Sequence, residues 1–447
     1  MNTGSFFFRE FIYYPVATYQ AGPVRQYLAR MMRTQFEPEG MRSVAHCERL
    51  AALVDHSRRH VPFYGDLPPV TGGEASAVGI LKSLPLLTKT DLQQSTAELR
   101  SIRRLGRLVP KTTGGSTGEP VTIWKTRDAW ARELAATWRG YAWAGVAPGD
   151  FQARFWGLAH QSSGRRRARL IDLVCHRMRI PAFSFSEADL EDYARLINAK
   201  QPQYFYGYVS MLTEFARFLR SRGISLNYRP VCVITTAEVL TPADRDLLQG
   251  VFQAPVFNEY GCGELGTVAH ECPNGSLHIS EENMIVEILA GETPCVPGMS
   301  GELVVTELNN YAFPLIRYRT GDFGSINTEP CPCGRTLLRL NEVQGRAYDF
   351  IRNRRGQLFH GEFLMYVFED LRRQGADIRQ FQVEQTDYDR FLVRIVPGPN
   401  YDSSCETLIG ERIRSFVDPA AGLQVQYVEE IPRERSGKLR LIKGLRP

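Results

Sequence analysis

Strand and helix signals alternate between residues 185 and 235, and this alternation limits the fold more than any other feature of the sequence. Apolar residues recur at helical spacing over residues 190–197, and a second amphipathic helix is predicted from Ser210 to a stop at Gly223. An aromatic run, residues 203–207, lies between these helices, and residues 231–235 are typical of a strand. Strands and helices in this order form βαβ units, so the sequence predicts an α/β fold with a largely parallel sheet.

Two further regions have a different pattern. Strand signals dominate residues 284–308, which predicts a β-rich subdomain. The last hundred residues predict a small α+β unit, with a hairpin before residue 397, a helix over residues 406–416 and a final strand. We therefore predict a large N-terminal α/β domain, residues 1–345, and a small mobile α+β C-terminal domain, residues 346–447.

Charge and hydropathy exclude several classes of protein. The chain has 54 Lys and Arg against 49 Asp and Glu, and this net charge of +5 does not favour a nucleic-acid partner. No window reaches the roughly 18 uninterrupted apolar residues of a membrane span, and the N-terminus lacks the features of a signal peptide. The nine scattered cysteines favour a reducing compartment, so we expect a cytoplasmic protein. The sequence leaves the oligomeric state open, with a homodimer as one candidate.

The sharpest local motif is the sequence Thr-Thr-Gly-Gly-Ser-Thr-Gly-Glu-Pro at residues 112–120. Its glycines allow backbone amides to turn inward around an anion, and its hydroxyl groups add donors for phosphate oxygens. It is not a Walker loop, because Glu119 stands where a lysine is required. On its own the motif is also compatible with a flexible loop. The predicted phosphate-binding residues are Thr113, Gly114, Gly115, Ser116, Thr117 and Gly118.

Five further motifs follow this loop in a fixed order. They are Thr236-Ala237-Glu238, Asn258-Glu259-Tyr260-Gly261-Cys262-Gly263-Glu264, Tyr318-Arg319-Thr320-Gly321-Asp322, Gly345-Arg346 and Ser436-Gly437-Lys438. Together with the loop, they resemble the motifs of adenylate-forming enzymes, the superfamily of acyl-CoA synthetases, peptide-synthetase adenylation domains and luciferase. The chain length and the sequence Cys331-Pro332-Cys333-Gly334-Arg335 are similar to the phenylacetate-CoA ligase and CapK branch.

The resemblance implies an ATP-dependent, AMP-forming ligase. Such an enzyme makes an acyl-adenylate from a carboxylic acid, releases pyrophosphate and transfers the acyl group to CoA. The alternative is a CapK-like amide or ester synthetase that transfers the acyl group to an amine or sugar in natural-product or polysaccharide biosynthesis. A catalytically retired nucleotide-binding scaffold is the hypothesis from another class.

The resemblance also implies residue roles. Lys438 would stabilise charge during adenylate formation, and Glu264 would bind Mg²⁺. Tyr260 would stack on adenine, Asp322 would accept hydrogen bonds from the ribose, and Arg346 would contact the nucleotide near the hinge. The remaining cofactor-binding candidates belong to the same motifs and are Ala237, Glu238, Asn258, Glu259 and Gly261.

The chain departs from the family pattern at two positions. Gly263 stands where the family has a threonine before the magnesium glutamate, and Tyr348, followed by Asp349, stands where the hinge aspartate is usual. At Gly263 one expected α-phosphate hydroxyl is missing. The hinge is where the family rotates its C-terminal domain to expose the adenylate to a second substrate, so the departures bear on the second half-reaction and its acceptor.

The segments that line the acid pocket in this family contain Trp156, His160, Tyr206 and Tyr208. Three aromatic rings would suit a flat acid, and His160 would suit an acidic or phenolic substituent. The same residues are also compatible with an ordinary core and a loop histidine.

Four residues have the chemistry of a zinc site. Cys272, His278, Cys331 and Cys333 offer the thiolate and imidazole ligands that Zn²⁺ prefers, and the resemblance implies a structural zinc. His270 is a competing ligand, and unrelated cysteines are the alternative. Residues 165–169 form the densest basic run, which is compatible with a solvated loop, a nucleotide-bearing acceptor such as CoA, or an anionic membrane surface.

Overall fold

The structure is a computed structural model of the 447-residue chain. It describes residues 3–70, 77–112, 121–156, 169–181, 187–346, 350–354, 358–360, 364, 367–368, 371–372, 374–432 and 440–445. The chain divides into two compact units. The first contains Met1–Thr320 and Gly324–Val343, and the second contains Gly321–Phe323 and Gln344–Pro447.

A 12-stranded sheet organises the first unit. Its strands are β3 (Gln152–Trp156), β4 (Arg177–Pro181), β5 (Tyr204–Tyr208), β6 (Cys232–Thr236), β7 (Val256–Cys262), β8 (Gly266–Glu271), β9 (Leu277–Ile279), β10 (Met284–Ala290), β11 (Thr293–Pro294), β12 (Gly301–Glu307), β13 (Tyr318–Asn327) and β14 (Arg339–Arg346). They lie in the order β11-β10-β12-β13-β14-β9-β8-β7-β6-β5-β3-β4. A separate antiparallel hairpin consists of β1 (Leu108–Thr112) and β2 (Thr122–Thr126).

Five neighbouring strands of the large sheet are parallel, and the rest of the sheet contains antiparallel pairs. The neighbours from β7 through β6, β5 and β3 to β4 are all parallel. The pairs β7–β8, β8–β9 and β10–β12 are antiparallel. The predicted α/β architecture is confirmed, and the β-rich segment continues the same sheet.

Helices cover both faces of the parallel half and extend over the N-terminal region. They are α1 (Thr3–Phe8), α2 (Tyr14–Gln20), α3 (Val24–Thr34), α4 (Glu39–His60), α5 (Ala77–Lys82), α6 (Lys89–Gln94), α7 (Arg127–Trp143), α8 (Glu187–Lys200), α9 (Val209–Ser221) and α10 (Pro242–Phe252). A π-helical segment, Arg9–Tyr13, joins α1 to α2, and a 3₁₀ turn, Pro62–Tyr64, follows α4. None of the helices in the described ranges has the length and hydropathy needed to cross a bilayer.

Local sequence explains where these helices begin and end. Thr126 caps α7, since its side chain accepts a hydrogen bond from the Ala129 amide. Thr241 caps α10 in the same way, and Pro242 occupies the first turn, where a missing amide hydrogen is tolerated. Gly223 follows the end of α9 with a φ of +63°, the left-handed conformation that favours glycine.

The two faces of the parallel strands pack into different cores. On one face Phe155, Phe205 and Val233 are buried against apolar side chains of α9 and α10. On the other face Tyr204, Tyr206 and Ile234 are buried with residues of α2, α3 and α7. Strands buried on both faces need near-continuous apolar runs, which explains why β5 and β6 are buried along their whole length.

The second unit has its own sheet and core. Its elements are β15 (Phe350–Arg352), β16 (Leu358–His360), β17 (Ile378–Asp387), β18 (Arg390–Pro397), α11 (Cys405–Phe416), β19 (Gly422–Tyr427) and β20 (Ile442–Lys443). Four strands form a sheet in the order β19-β18-β17-β20, and α11 buries Ile409 and Ile413 in the same core as Phe381 and Val393. This α+β unit contains the predicted hairpin, helix and final strand.

Candidate active site

The predicted nucleotide-side motifs lie at neighbouring carboxyl ends of the parallel strands. Tyr208, the last residue of β5, is paired with Thr236, the last residue of β6, and Thr236 is paired with Glu259 of β7. These three residues therefore form one row across the sheet. Ligands of open α/β sheets bind at this edge, outside the carboxyl ends of the strands.

Glu259 lies in a buried hydrogen-bond network. Its Oε1 accepts hydrogen bonds of 3.0 Å from the Tyr206 hydroxyl and from Thr236 Oγ1, and its Oε2 lies 3.1 Å from His270 Nε2. Burial raises the pKa of Glu259, but His270 and the two hydroxyl donors outweigh burial and hold this pKa below its ordinary value. The carboxylate already has partners in the protein, so it positions β5, β6 and β8 around the strand ends.

The connection after β6 has an unusual backbone. Ala237 has a φ of +67°, a conformation that costs free energy for a residue with a Cβ. Glu238 then turns its carboxylate to the start of α9, where it accepts hydrogen bonds from the Ser210 amide, 2.7 Å, and the Ser210 hydroxyl, 3.0 Å. The side chain of Glu238 therefore acts as a helix cap, which the sequence did not predict.

The motif on β7 contributes a buried wall. Tyr260 and Glu264 are buried, and Gly261 lies so close to Gly266 that a Cβ at position 261 would approach the Gly266 carbonyl oxygen to 2.6 Å. The backbone amide of Asn258 donates its hydrogen to Glu271 Oε2 at 2.7 Å. The family-like glycine at 261 is thus explained by close backbone approach.

The other predicted nucleotide residues are described to different extents. Asp322 is buried in β13, and Arg346 is the last residue of β14. The predicted phosphate-binding residues Thr113 to Gly118, the candidate His160 and the catalytic candidate Lys438 lie outside the described residues, as does Tyr348. The hairpin strands β1 and β2 flank the predicted phosphate-binding loop.

The three aromatic candidates for the acid pocket lie together. The Trp156 ring is 4.3 Å from the Tyr208 ring and 5.7 Å from the Tyr206 ring, measured between centroids. Sequence analysis missed the cation beside them: the Arg154 guanidinium lies 4.5 Å from the centre of the Trp156 ring and 4.7 Å from that of Tyr206. Alternation along β3 puts Arg154 and Trp156 on one face, a signal that the sequence did contain.

The four predicted zinc ligands converge, and we call them the Cys–His cluster. The ligand atoms of Cys272, His278, Cys331 and Cys333 all lie within 4.8 Å of one another. The sulfurs of Cys272 and Cys331 are 3.8 Å apart, and Cys333 Sγ lies 3.2 Å from His278 Nε2. His270 pairs with Glu259, so this competing candidate lies elsewhere.

The orientation of His278 fits a metal ligand. Its Nδ1 lies 2.9 Å from the Leu337 carbonyl oxygen, to which it can donate a hydrogen, and this leaves Nε2 with a lone pair directed at the cysteines. Burial lowers the pKa of His278 to about 4, so the imidazole is neutral at pH 7. Three sulfurs and one neutral imidazole are a donor set suited to tetrahedral Zn²⁺.

A second buried polar group, which we call the Lys125 cluster, was also missed by sequence analysis. Lys125 on β2 is 1% exposed and donates to Glu133 Oε2 at 2.7 Å, to Glu307 Oε1 at 2.8 Å and to the Leu265 carbonyl at 3.1 Å. Burial raises the pKa of Glu133, but Lys111 and Lys125 outweigh burial and lower this pKa to about 2. The cluster ties β2, which follows the predicted phosphate-binding loop, to α7 and β12.

Comparisons with known proteins agree with this architecture. Residues 351–444 match the family model described as the CapK C-terminal domain. Protein CapK of Staphylococcus aureus is 22% identical over 407 residues, which cover 88% of this chain and 87% of that protein. Phenylacetate-coenzyme A ligase of Thermus thermophilus is 25% identical over 445 residues, which cover 89% of this chain and 95% of that protein.

A solved structure shows the same fold. The crystal structure of 2-hydroxyisobutyryl-CoA ligase in complex with 2-HIB-AMP superposes with a TM-score of 0.73 at 19% identity, and the match covers 92% of this chain and 91% of that chain. The resemblance predicted from the motifs is therefore confirmed: the chain has the adenylate-forming ligase fold and is similar to CapK and the phenylacetate-coenzyme A ligases over most of its length.

Proposed function

We propose that this chain is an ATP-dependent, AMP-forming carboxylic acid ligase that makes an acyl-adenylate, releases pyrophosphate and transfers the acyl group to CoA. The observation that carries the proposal is the alignment of three motifs at one edge of the parallel sheet. Tyr208, Thr236 and Glu259 share a row there, and the Ala237–Glu238 turn and Tyr260 follow directly. The similarity to phenylacetate-coenzyme A ligases over 89% of the chain supports the same activity.

Adenylate formation requires a carboxylate to attack the α-phosphorus of ATP in line and expel pyrophosphate. The protein mainly positions two anions and neutralises charge in such a reaction. We assign Glu264 to Mg²⁺, which prefers oxygen ligands and bridges phosphates. Asp322 would accept hydrogen bonds from the ribose, and Lys438 would stabilise the negative charge that develops between the carboxylate and the phosphorus.

The phosphate-binding role falls to residues 113–118, whose glycine amides and hydroxyl groups suit an anion. The Lys125 cluster supports this role, because it fixes β2, the strand that follows the loop, to two other elements. Glu259 and Glu238 are assigned a positioning role rather than direct contact with the nucleotide, since both carboxylates are already hydrogen-bonded within the protein.

The acid is proposed to bind beside Trp156, Tyr206 and Tyr208. Tyr206 and Tyr208 lie two residues apart at the end of β5, and the Trp156 ring lies 5.7 Å from the first ring and 4.3 Å from the second, between centroids. Aromatic faces at this spacing suit the flat body of an aromatic acid.

Pyrophosphate release tests the proposal. The full chain would be incubated with MgATP and a panel of aromatic, fatty and amino acids, first without an acceptor and then with CoA. We expect acid-dependent release that CoA accelerates, together with an acyl-CoA product identified by mass spectrometry. If no acid in the panel caused pyrophosphate release in a protein that still binds ATP, the proposal would be overturned and the nucleotide-binding scaffold would be favoured.

Lys438→Ala separates chemistry from binding. We expect a loss of acid-dependent pyrophosphate release of about 10²-fold or more, with ATP affinity within about threefold of the wild type, because the interaction is made in the transition state. Lys443→Ala is the matched control, since this lysine lies on β20 of the same unit. Equal loss in both variants would contradict the assigned role of Lys438.

A second candidate differs only in the acceptor. The C-terminal residues 351–444 match the CapK domain, and Protein CapK is similar over 88% of this chain. We therefore keep an amide or ester synthetase, with an amine or sugar acceptor, as the alternative. Acid-dependent pyrophosphate release that is indifferent to CoA would favour it, and Gly263 and Tyr348 are the positions to exchange for the family residues.

We also propose a structural Zn²⁺ in the Cys–His cluster, where Cys272, His278, Cys331 and Cys333 would be its ligands. The metal would join the turn after β8 to the loop before β14 and would take no part in the reaction. The nine cysteines are all free, and thiolate ligands survive in a reducing compartment, so we propose a cytoplasmic location. Light scattering on the same sample would test the candidate homodimer.

A further inference from the structure

Arg154 stands out among the described charged side chains of the parallel sheet because none of the described carboxylates pairs with it directly. No carboxylate in the described ranges lies within ion-pair distance of its guanidinium, and its buried Nε has no hydrogen-bond partner there. Its neighbours are the faces of Trp156 and Tyr206, at 4.5 and 4.7 Å from the guanidinium carbon. The Glu259 carboxylate attracts this guanidinium from beyond ion-pair distance. A partly buried cation without a directly paired anion is still costly, and cation–π contacts compensate only part of that cost.

On the neighbouring strand β4, the arginines are paired with a carboxylate. Arg179 is directly paired with Arg154 in the β3–β4 register, and Arg177 lies two residues earlier on the same face. Both donate to Asp172: Arg177 Nε is 2.5 Å from Oδ1, and Arg179 Nη2 is 2.9 Å from the same oxygen. One carboxylate thus serves two arginines, and no carboxylate in the described part of the chain pairs directly with Arg154.

The position of Arg154 along β3 indicates which part of a ligand it would meet. Arg154 is paired with Tyr206, which lies two residues before Tyr208 on β5, and Tyr208 is paired with Thr236 at the strand ends. Two residues along a strand correspond to roughly 7 Å, so Arg154 lies that far below the strand ends. The reacting carboxylate belongs at the strand ends, beside the nucleotide motifs, so the opposite end of the acid would reach Arg154.

From this placement we infer that the acid carries a second, anionic oxygen group at the end distal to its reacting carboxylate, and that Arg154 binds this group. The inference rests on the proposed ligase function and narrows its substrate class to flat acids with a distal carboxylate or a similarly charged oxygen group. Arginine suits this role, because its planar fork donates two parallel hydrogen bonds to a carboxylate and its flat face stacks on aromatic rings.

The test uses matched acids that differ only at the distal end. Terephthalate, 4-hydroxybenzoate and 4-methylbenzoate form one series, and the corresponding 4-substituted phenylacetates form a longer one. Initial rates of MgATP-dependent pyrophosphate release would give kcat and KM for each acid with the full chain. In at least one series we expect kcat/KM to fall from carboxylate to hydroxyl to methyl, with at least about tenfold between the first and the last, since a site built for a polar group rejects analogues that lack it.

Arg154→Met and Arg154→Lys then separate recognition from folding. We expect Arg154→Met to abolish the preference for the distal carboxylate while the methyl acid stays within about threefold of the wild type. Arg154→Lys should keep part of the preference, because it retains the charge but not the fork. Arg179→Met is the matched control, since it removes an equal charge at the paired position and should leave the order of the three acids unchanged.

The outcomes separate this inference from the proposed function. A wild type that releases pyrophosphate with the methyl acids as well as or better than with the distal carboxylates would overturn the inference and leave the ligase function intact. An Arg154→Met variant that is folded by circular dichroism and loses activity equally on all three acids would also overturn it, because Arg154 would then only balance the charge of Glu259. If the wild type released no pyrophosphate with any of these acids, the result would instead count against the ligase function itself.

Discussion

The Lys125 cluster and the Cys–His cluster are both buried and both join distant segments, but they differ in where their polar atoms find partners. Lys125 uses its three hydrogens on Glu133, Glu307 and the Leu265 carbonyl, so the chain itself supplies the opposite charge. In the Cys–His cluster the ligand atoms point at one another within 4.8 Å. The comparison teaches that the Lys125 ammonium finds all its partners within the chain, whereas the Cys–His cluster directs four ligand atoms at one another in an arrangement that suits a metal ion.

The largest expected effect concerns the Cys–His cluster. Cys331→Ser should reduce bound zinc from about one ion per chain to a small fraction and lower the free energy of unfolding by roughly 5 kcal/mol, because metal-binding energy contributes to folding. Metal analysis and urea unfolding measure the two quantities. Cys47→Ser is the control, since this half-buried cysteine lies outside the cluster. A wild type that is purified without any metal, and whose stability does not change with chelators, would contradict the proposal that the Cys–His cluster binds a metal ion.

The next largest effect concerns the Lys125 cluster. Lys125→Met leaves the half-buried Glu133 and the buried Glu307 without their shared cation and should destabilise the first unit by about 3–5 kcal/mol. Lys111→Met removes the more exposed partner of Glu133 and should cost less than about 1 kcal/mol. Urea unfolding at pH 7 compares the two variants. Similar stability losses would show that burial of the ion pair is not what distinguishes Lys125.

Glu133 provides a pH test of the same cluster. Its pKa falls from 4.5 to about 2 in the folded chain, so its contribution to stability is complete above pH 4.5 and is lost as the pH falls toward 2. Between pH 6 and pH 3 the wild type should lose about 2 kcal/mol more than Glu133→Gln, which cannot titrate. Chemical unfolding at the two pH values measures this difference. Parallel pH profiles would mean that the two lysines do not stabilise the carboxylate.

The smallest effect concerns a side chain that sequence analysis assigned to the nucleotide. Glu238 holds the Ser210 amide and hydroxyl at the start of α9, so Glu238→Gln should cost about 1 kcal/mol of stability. The KM for ATP should change less than about threefold in the same variant, because the carboxylate already has protein partners. A large rise in KM with unchanged stability would show that the carboxylate binds the nucleotide.

The sequence predicted the order and type of the secondary-structure elements better than the contacts between side chains. The alternation of strands and helices and the hairpin before residue 397 follow from local periodicity, and the structure contains them. The four metal candidates were recognised from their chemistry, although Cys272 and Cys331 lie 59 residues apart along the chain. Motif resemblance could not show that Glu259 and Glu238 are held by Tyr206, Thr236 and Ser210, since those contacts depend on strand register.

Two charged residues were missed for a related reason. Lys125 and Arg154 stand in short strands where a charged residue is usually solvated, and nothing local to either position indicates burial. Lys125 becomes buried because α7 and β12 bring glutamates to it, and Arg154 becomes partly buried because β5 places Tyr206 beside it. Pairing between distant segments thus decided the environment of both.

The 3.8 Å separation of the Cys272 and Cys331 sulfurs has a consequence for handling the protein. Two thiols this close need only modest backbone adjustment to reach the bonding distance of a disulfide, so air oxidation would compete directly with metal loading. We expect a sample stripped of metal in the absence of reductant to become resistant to reloading, and a thiol reductant to reverse that resistance. The bound ion would in this sense protect the cysteines as well as join their segments.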